Sequence, residues 1–338
     1  MDSVTHIVLG ACVGKVVLPQ KWGKKALILG ALAHSIPDMD TLSSFFNSET
    51  QDLLLHRSIS HSLFMAIIFA LLFASFSYIG DKRTVKFGWL FLPFLLLVGL
   101  HDLLDTCNNY GTELFAPFSS RRFSFHLLYV VDPLFTIVPL VAAILLFCKK
   151  ESWAEAKKVA FLGIFAPCVY LGIVGTGKAR VERVLSQNPP APSARFDFLT
   201  PTPFNGFLWY GVFSTDSTVY LTYRSAFDKP GFLATYSSYP KNAQLLQPYL
   251  QEEDTKNLLA FSGGIYTVEQ IKDTIQFNIP RFGQILGWQY PHAPFTFYYH
   301  IHPDVGNSLS VQRGRLKGWN KQTIHYFCER ILGRGVEK

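Results

Sequence analysis

The chain is poor in charge. Asp, Glu, Lys and Arg together make up only 16% of its 338 residues, against 49% hydrophobic ones, too apolar a balance for an ordinary water-soluble protein and too polar for a pure membrane bundle. Cysteine is scarce as well. Cys12, Cys107, Cys148, Cys168 and Cys328 form no C-x-x-C pair and leave one cysteine in the second half, so neither a disulfide framework nor a thiolate zinc site is supported. The opening residues M-D-S-V-T-H lack a basic stretch and carry Asp2 and His6, so no cleavable signal peptide is expected. A phosphate-binding loop is also missing. Gly172 to Lys178, G-I-V-G-T-G-K, nearly spells one, but Ala179 stands where Ser or Thr is required and the glycines close an apolar run. No internal repeat and no low-complexity tract occurs.

What is present divides the chain. Residues 1–177 carry the long apolar runs expected of a membrane-embedded helical domain. Residues 178–195 read as a charged helix, Lys178 to Gln187, and a Pro-rich linker, N-P-P-A-P-S. Residues 196–338 read as an α+β domain with an antiparallel sheet. The fold class expected is thus an N-terminal all-α polytopic membrane helical bundle followed by an extracytoplasmic α+β domain. Val4 to Leu18 and Ala26 to Ile36 are short for spans and suggest a helical hairpin; clearer spans run from Ser62 to Ile79, Phe87 to Leu104, Leu128 to Cys148 and Val159 to Thr176. In the second half, F-L-W-Y-G-V-F, S-T-V-Y-L-T-Y-R and F-T-F-Y-Y-H-I-H read as strands, while Asn242 to Leu259 and Val268 to Ile279 look helical, the latter stopped by Pro280.

The formal charge of +7 is explained by topology rather than nucleic-acid binding. Lys15, Lys21, Lys24, Lys25, Lys82, Arg83, Lys86, Lys149, Lys150, Lys157 and Lys158 fall in one set of loops, and only Arg57, Arg121 and Arg122 in the opposite set. By the positive-inside rule the first set is cytoplasmic, and the acidic and imidazole clusters, with everything after Gly177, lie outside.

Those clusters carry the chemistry. His101 and Asp105 lie one helical turn apart at the end of an apolar run, where ionisable groups are costly unless paired or metal-bound. Asp102 points elsewhere. Asp38 and Asp40 in P-D-M-D, and His56 and His61 in H-R-S-I-S-H, fall on the same face of the membrane. Mixed imidazole and carboxylate donors suit zinc, manganese or iron, and one or two ions. Any single pair reads equally as a helix cap; several clusters on one face favour a metal site. His6 is a further candidate ligand, with Thr5 as an alternative helix cap. Asp132 before Pro133 is either an N-cap or a carboxylate orienting a ligand imidazole. Arg57, between two ligand positions, suits a substrate phosphate or a lipid headgroup, as do Arg121 and Arg122. His300 and His302, with His292 nearby, lack an acidic third ligand and read as surface or core histidines.

Taken together, T-H with Gly10, A-L-A-H-S-I-P-D-M-D, H-R-S-I-S-H-S and H-D-L-L-D-T-C-N-N-Y-G-T-E-L-F-A-P-F-S-S-R-R-F-S followed by V-D-P resemble the YdjM-like family of bacterial inner-membrane proteins, whose inferred activity is metal-dependent hydrolysis. The likeness covers about the first half of the chain. It implies a multi-pass protein of the bacterial inner membrane with a metal site at His6, Asp38, Asp40, His56, His61, His101, Asp105 and Asp132. A more distant likeness, P-D then H…H then H-x-x-x-D, is to zinc-dependent phospholipase C, with different spacing.

The expected function is metal-activated attack of water on an ester or phosphoester of a lipid or envelope-related amphiphile, with Arg57 and Asp132 assisting and the membrane itself as partner. Two other classes compete. A metal or proton transporter would place such groups near the midplane with a path to both faces, whereas a non-catalytic anchor or binding protein would use them as a structural metal site.

Overall fold

A computed structural model describes residues 1–149, 152–232, 234–301 and 318–334; Lys150 and His302, noted above, lie outside these. Helices run in chain order as α1 (Ser3–Val17), α2 (Lys24–Ser35), α3 (Glu49–Leu55), α4 (Leu63–Gly80), α5 (Gly88–Asp105), α6 (Pro133–Cys148), α7 (Trp153–Ser186), α8 (Glu253–Ser262) and α9 (Lys321–Ile331). Two compact units result. One comprises Met1–Phe45, Leu55–Val174 and Pro203–Asn205, the other Phe46–Leu54, Gly175–Thr202 and Gly206–Lys338.

The first unit is helical. Its α4, α5 and α7 are long and apolar enough to cross a membrane, and α1 and α6 are shorter apolar helices. Phe76 and Trp89 are each 74% exposed and Leu92 65%, an arrangement that water penalises and hydrocarbon does not. The expected span from Leu128 is shorter than anticipated. Asp132 caps α6, its Oδ1 accepting from the amides of Leu134 and Phe135, and Pro133 occupies the first helical position, so Leu128 to Val131 remain outside the helix. At α1 the cap is Asp2 rather than Thr5: Asp2 Oδ1 accepts from the Thr5 amide at 3.0 Å.

Helices α1 and α2 form the anticipated hairpin, and glycine is what lets them close. A methyl group on Gly10 would collide with Cβ of His34 and the carbonyl of Gly30, and one on Gly14 with the backbone of Ala26 and Gly30. That approach presses the C-terminal end of α2 against the N-terminal turns of α1. Ala33, Ala70, Ala74, Leu90, Phe94 and Leu97 pack with Val13 and Leu18 into one core, and Cys12, Leu27, Ala142 and Ala160 belong to a second.

In the second unit, strands β1 (Arg195–Pro201), β2 (Leu208–Ser214), β3 (Thr218–Ser225) and β4 (Tyr236–Pro240) form an antiparallel sheet in that order. Strands β5 (Thr267–Ile271), β6 (Thr274–Asn278) and β7 (Tyr298–Ile301) form a second one. Every residue of β2 is buried, which its unbroken apolar run requires. Gly211 leaves room there for the side chain of Leu185.

Three expectations are corrected. Val268 to Ile279 is not helical: its β-branched residues pair across a hairpin in which Lys272 takes the left-handed conformation at φ 55°. Asn242 to Leu259 is divided into a 3-10 turn, Ala243–Tyr249, and α8, because Pro248 interrupts it. Lys178 to Gln187 is not a separate helix. Helix α7 continues from Trp153 to Ser186, taking the near phosphate-loop sequence Gly172 to Lys178 into regular helix.

Candidate metal centre

Alternation of helix direction gathers the ionisable groups at one end of the first unit. His6 lies in the opening turns of α1, His34 at the close of α2, His61 just before α4, His101 and Asp105 in the last turn of α5, and Asp132 at the start of α6. The opposite end carries lysines: Lys21 pairs with Asp81 at 2.6 Å, and Trp22 Nε1 donates to the same carboxylate.

Asp38, His61, His101 and Asp105 each offer one donor atom within 4.8 Å of the others. The measured edges are tighter than that. His61 Nε2 is 3.5 Å from Asp38 Oδ1 and 3.4 Å from Asp105 Oδ2, and His101 Nε2 is 3.7 and 3.8 Å from the same two oxygens. Four ligands around a tetrahedral zinc, with bonds of about 2.0–2.1 Å, stand about 3.3–3.4 Å apart. The four imidazole-to-carboxylate edges therefore lie within about half an ångström of that spacing.

The inward imidazole nitrogens lack hydrogen-bond partners. His61 Nε2 and both ring nitrogens of His101 are buried without a hydrogen-bond partner, a condition costing about 1–3 kcal/mol for each such group, whereas Asp105 Oδ2 is paired with Arg57 Nε at 3.0 Å. Orphaned donors of these types, facing one another, fit a divalent cation. His61, His101 and Asp105 are fully buried, and the side chain of Asp38 is 17% exposed, which makes Asp38 the point of contact with solvent.

Asp40 and His56 stand one side chain farther out. Asp40 Oδ2 faces His61 Nδ1 at 3.4 Å and accepts from the Arg57 amide and the Ser60 hydroxyl, while its Oδ1 faces His56 Nδ1 at 3.3 Å. Its position, with the Ser60 hydroxyl 2.9 Å from the same nitrogen, is that of a carboxylate holding the far nitrogen of His61 so that Nε2 faces the cluster. Burial alone would raise the Asp40 carboxyl, but His56 and His61 outweigh it and hold it below the usual carboxylate range. Asp38 is likewise held low, with His61 and His101 overcoming burial. Around His61 burial favours the neutral ring, yet the carboxylates of Asp105, Asp38 and Asp40 prevail and push its pKa up to about 10.

Arg57 is only 3% exposed and packs inside the cluster. Its Nε lies 3.0 Å from Asp105 Oδ2, its Nη1 donates to Asn108 Oδ1 at 2.6 Å, and its guanidinium covers the ring of Tyr110. The backbone there is left-handed at φ 60°, a conformation that costs a non-glycine residue about 1–2 kcal/mol. Arg122 bonds Glu113 and the His56 carbonyl, and Arg121 lies over Phe123. Asp132 does not join the donors. Its Oδ2 accepts from the Tyr170 hydroxyl at 2.8 Å, and its Oδ1 caps α6. His300 bonds Gln276 and His292 lies near Tyr239, with no ligand group at either among the described residues.

His6 reaches the cluster from the other side, its Nε2 3.2 Å from Asp105 Oδ1, an oxygen the α-amino group of Met1 also contacts. Sequence reasoning missed His34. It is fully buried beside His6 and His101, with ring centroids 5.3 and 5.6 Å away. The signal was available: an imidazole inside the short apolar run before Pro37 needs a partner as much as His101 does. Asp102 is fully buried with neither oxygen hydrogen-bonded, and belongs to no ligand group among the described residues.

Comparison with known proteins agrees with this architecture. A protein of Bacillus subtilis (strain 168) named "Uncharacterized protein YfhP" is 25% identical over 329 residues, covering 94% of this chain and 95% of its own. The Escherichia coli (strain K12) "Inner membrane protein YbcI" is 33% identical over 131 residues, 36% of this chain and 69% of that protein. No solved structure gives a significant match. The profile of the YdjM inner membrane protein family matches residues 1–181, the helical region that holds the His/Asp cluster, and the chain belongs to that family.

Proposed function

We propose that the protein is a membrane-bound metal-dependent hydrolase acting on an ester or phosphoester of an amphiphile, with its site on the extracytoplasmic side. The observation carrying this reading is the convergence of Asp38, His61, His101 and Asp105, whose donor atoms all lie within 4.8 Å of one another, with imidazole-to-carboxylate distances of 3.4 to 3.8 Å and three of the four side chains sealed from solvent. When bound there, a divalent cation supplies a Lewis acid that brings a water's pKa to about 7 and polarises the scissile group.

The protein's own groups do the rest. Asp40 fixes the orientation of His61 through Nδ1. Arg57, held by Asp105 and Asn108, provides fixed positive charge beside the donors, suited to an anionic phosphoryl group. Access lies along Asp38 and, beyond it, His56, whose side chain is 22% exposed. Helix α5 reaches His101 about 20 Å from its start at 1.5 Å per residue, short of a hydrocarbon core of about 30 Å. If α5 starts at the inner surface, the site is recessed below the outer one, within reach of a lipid-borne substrate.

Four protein donors also match a closed structural zinc site, so an anchor pinned by metal is the second reading. Assays of phosphodiester and carboxylic ester hydrolysis on full-length protein in lipid nanodiscs, with added zinc or manganese, separate the two. Metal-dependent turnover lost in His61→Ala supports the hydrolase. Bound metal with no turnover on either class supports the anchor.

A further inference from the structure

We infer that the second unit binds a phosphate group in a cavity between the last turns of α7 and the end of β3, with Arg180 and Arg224 as its two cationic contacts. The inference is independent of the metal centre.

The strand places Arg224. Successive residues of β3 face opposite ways, so Arg224 shares the face of Thr222, which crowds Gly211 together with Leu185 of α7. That face is the one the helix covers. A cavity of about 240 Å³ remains there, lined by Arg180, Val181 and Val184 from the helix and by Arg224, Asp228 and Pro230.

Charge does not balance around this cavity. Asp228 closes on Arg330 through two bonds, Oδ1 to Nη1 at 2.5 Å and Oδ2 to Nη2 at 2.9 Å, and Oδ2 also accepts from the Ser225 amide. Its negative charge is therefore taken by one cation. Arg224 is only 4% exposed, yet among the described residues it has no carboxylate within salt-bridge distance; its Nη1 donates to the Phe232 carbonyl at 2.6 Å and its guanidinium lies over the Phe232 ring. Burial pushes its pKa down, Asp228 opposes that, and the charges of Arg330 and Arg180 add to the burial effect. A buried guanidinium without its own counter-charge is costly, and an anion in the cavity removes the cost.

The donors fit an oxyanion. A guanidinium offers five N–H groups in a planar fork, and Arg224 spends one on Phe232, leaving others for two oxygens of a phosphate. Arg180 is exposed and adds the second charge from the helix side. The volume is below the roughly 300–1,000 Å³ of sites that enclose drug-sized ligands, so a headgroup fits and a whole amphiphile does not. Arg180 also follows the apolar run of α7, which ends at Gly177, by three residues, about 4.5 Å of helical rise. A phosphate carried on a lipid is thus one source, and a free phosphate is the other.

The test is equilibrium dialysis of radiolabelled inorganic phosphate against full-length protein in maltoside micelles, which carry no phosphate, with a chelator present so that no metal-bound phosphate contributes. Wild type should bind phosphate. Arg180→Gln, a change at an exposed side chain, should weaken that binding by about tenfold or more through loss of a charge-assisted hydrogen bond, and Arg224→Gln should abolish it. Added phosphatidylglycerol that displaces the phosphate identifies a lipid headgroup as the source, and phosphate that stays bound identifies the free anion; both support the site. No binding by wild type would overturn the inference, as would equal affinity in wild type and Arg180→Gln. Should Arg224→Gln fail to fold, the Arg180→Gln comparison decides.

Discussion

Raising the pH from 6 to 8 should tighten metal binding at the first site by about 100-fold, because one proton must leave His61 for each ion bound. Three carboxylates surround that imidazole, Asp105 and Asp40 at 3.4 Å and Asp38 at 3.5 Å, and hold its pKa at about 10 in the metal-free protein. The ion takes only the neutral ring. At every pH below that folded value, each pH unit removes about 1.4 kcal/mol of competition, a factor of ten in affinity. Asp38 and Asp40, held below the ordinary carboxylate range, are already ionised throughout and add no slope.

The same shift has a sign for stability. A folded pKa above the unfolded one stabilises the metal-free fold fully below about pH 6.5, and the contribution fades as pH rises toward about 10. Metal-loaded protein should lack that decline. Competition against a chelator of known protonation, in nanodiscs at pH 6, 7 and 8, gives the affinity. A slope near one in log K against pH is expected. A flat line would show that His61 is neutral before the ion arrives or is not a ligand, and a slope of two would require a second protonated ligand.

Further variants separate the roles. Asp105→Asn should abolish metal binding and lower the melting temperature of the metal-free chain, since Arg57 is left without its carboxylate, an uncompensated buried charge costing about 3–5 kcal/mol. Asp102→Asn, one turn-position away and unpaired, should keep full metal content by mass spectrometry with unchanged or higher stability. Asp132→Ala should cost about 1 kcal/mol through the lost α6 cap, read as a thermal shift, with metal content retained. Gly10→Ala should force α1 from α2 at His34, an overpacking of about 1–3 kcal/mol, measured by the same melts.

The helical half and its site were legible to different depths. Apolar runs located the helix pairs because hydrocarbon burial demands length and composition that few other structures share. The convergence of His61, His101, Asp38 and Asp105 followed from counting helix directions. What the sequence did not disclose was rank within the cluster: Asp40 and His56 share motifs with Asp38 and His61 yet lie behind His61, because a turn at Arg57 with φ 60° sends neighbouring side chains to different depths. His34 was hidden by its context, one imidazole in an alanine-rich helix whose partner surface is glycine. The Lys272 hairpin was mistaken for helix because its polar and apolar residues fit both periods over so short a stretch. Helix α7 passes through Gly172 and Gly177 unbroken, since glycine weakens a helix without ending it.

X-ray absorption at the zinc edge of purified, zinc-loaded protein tests the central claim most directly. The account predicts a shell of imidazole nitrogen and carboxylate oxygen at about 2.0–2.2 Å with no sulfur, altered in His61→Ala. A sulfur shell at about 2.3 Å, or a spectrum unchanged by that substitution, would contradict it.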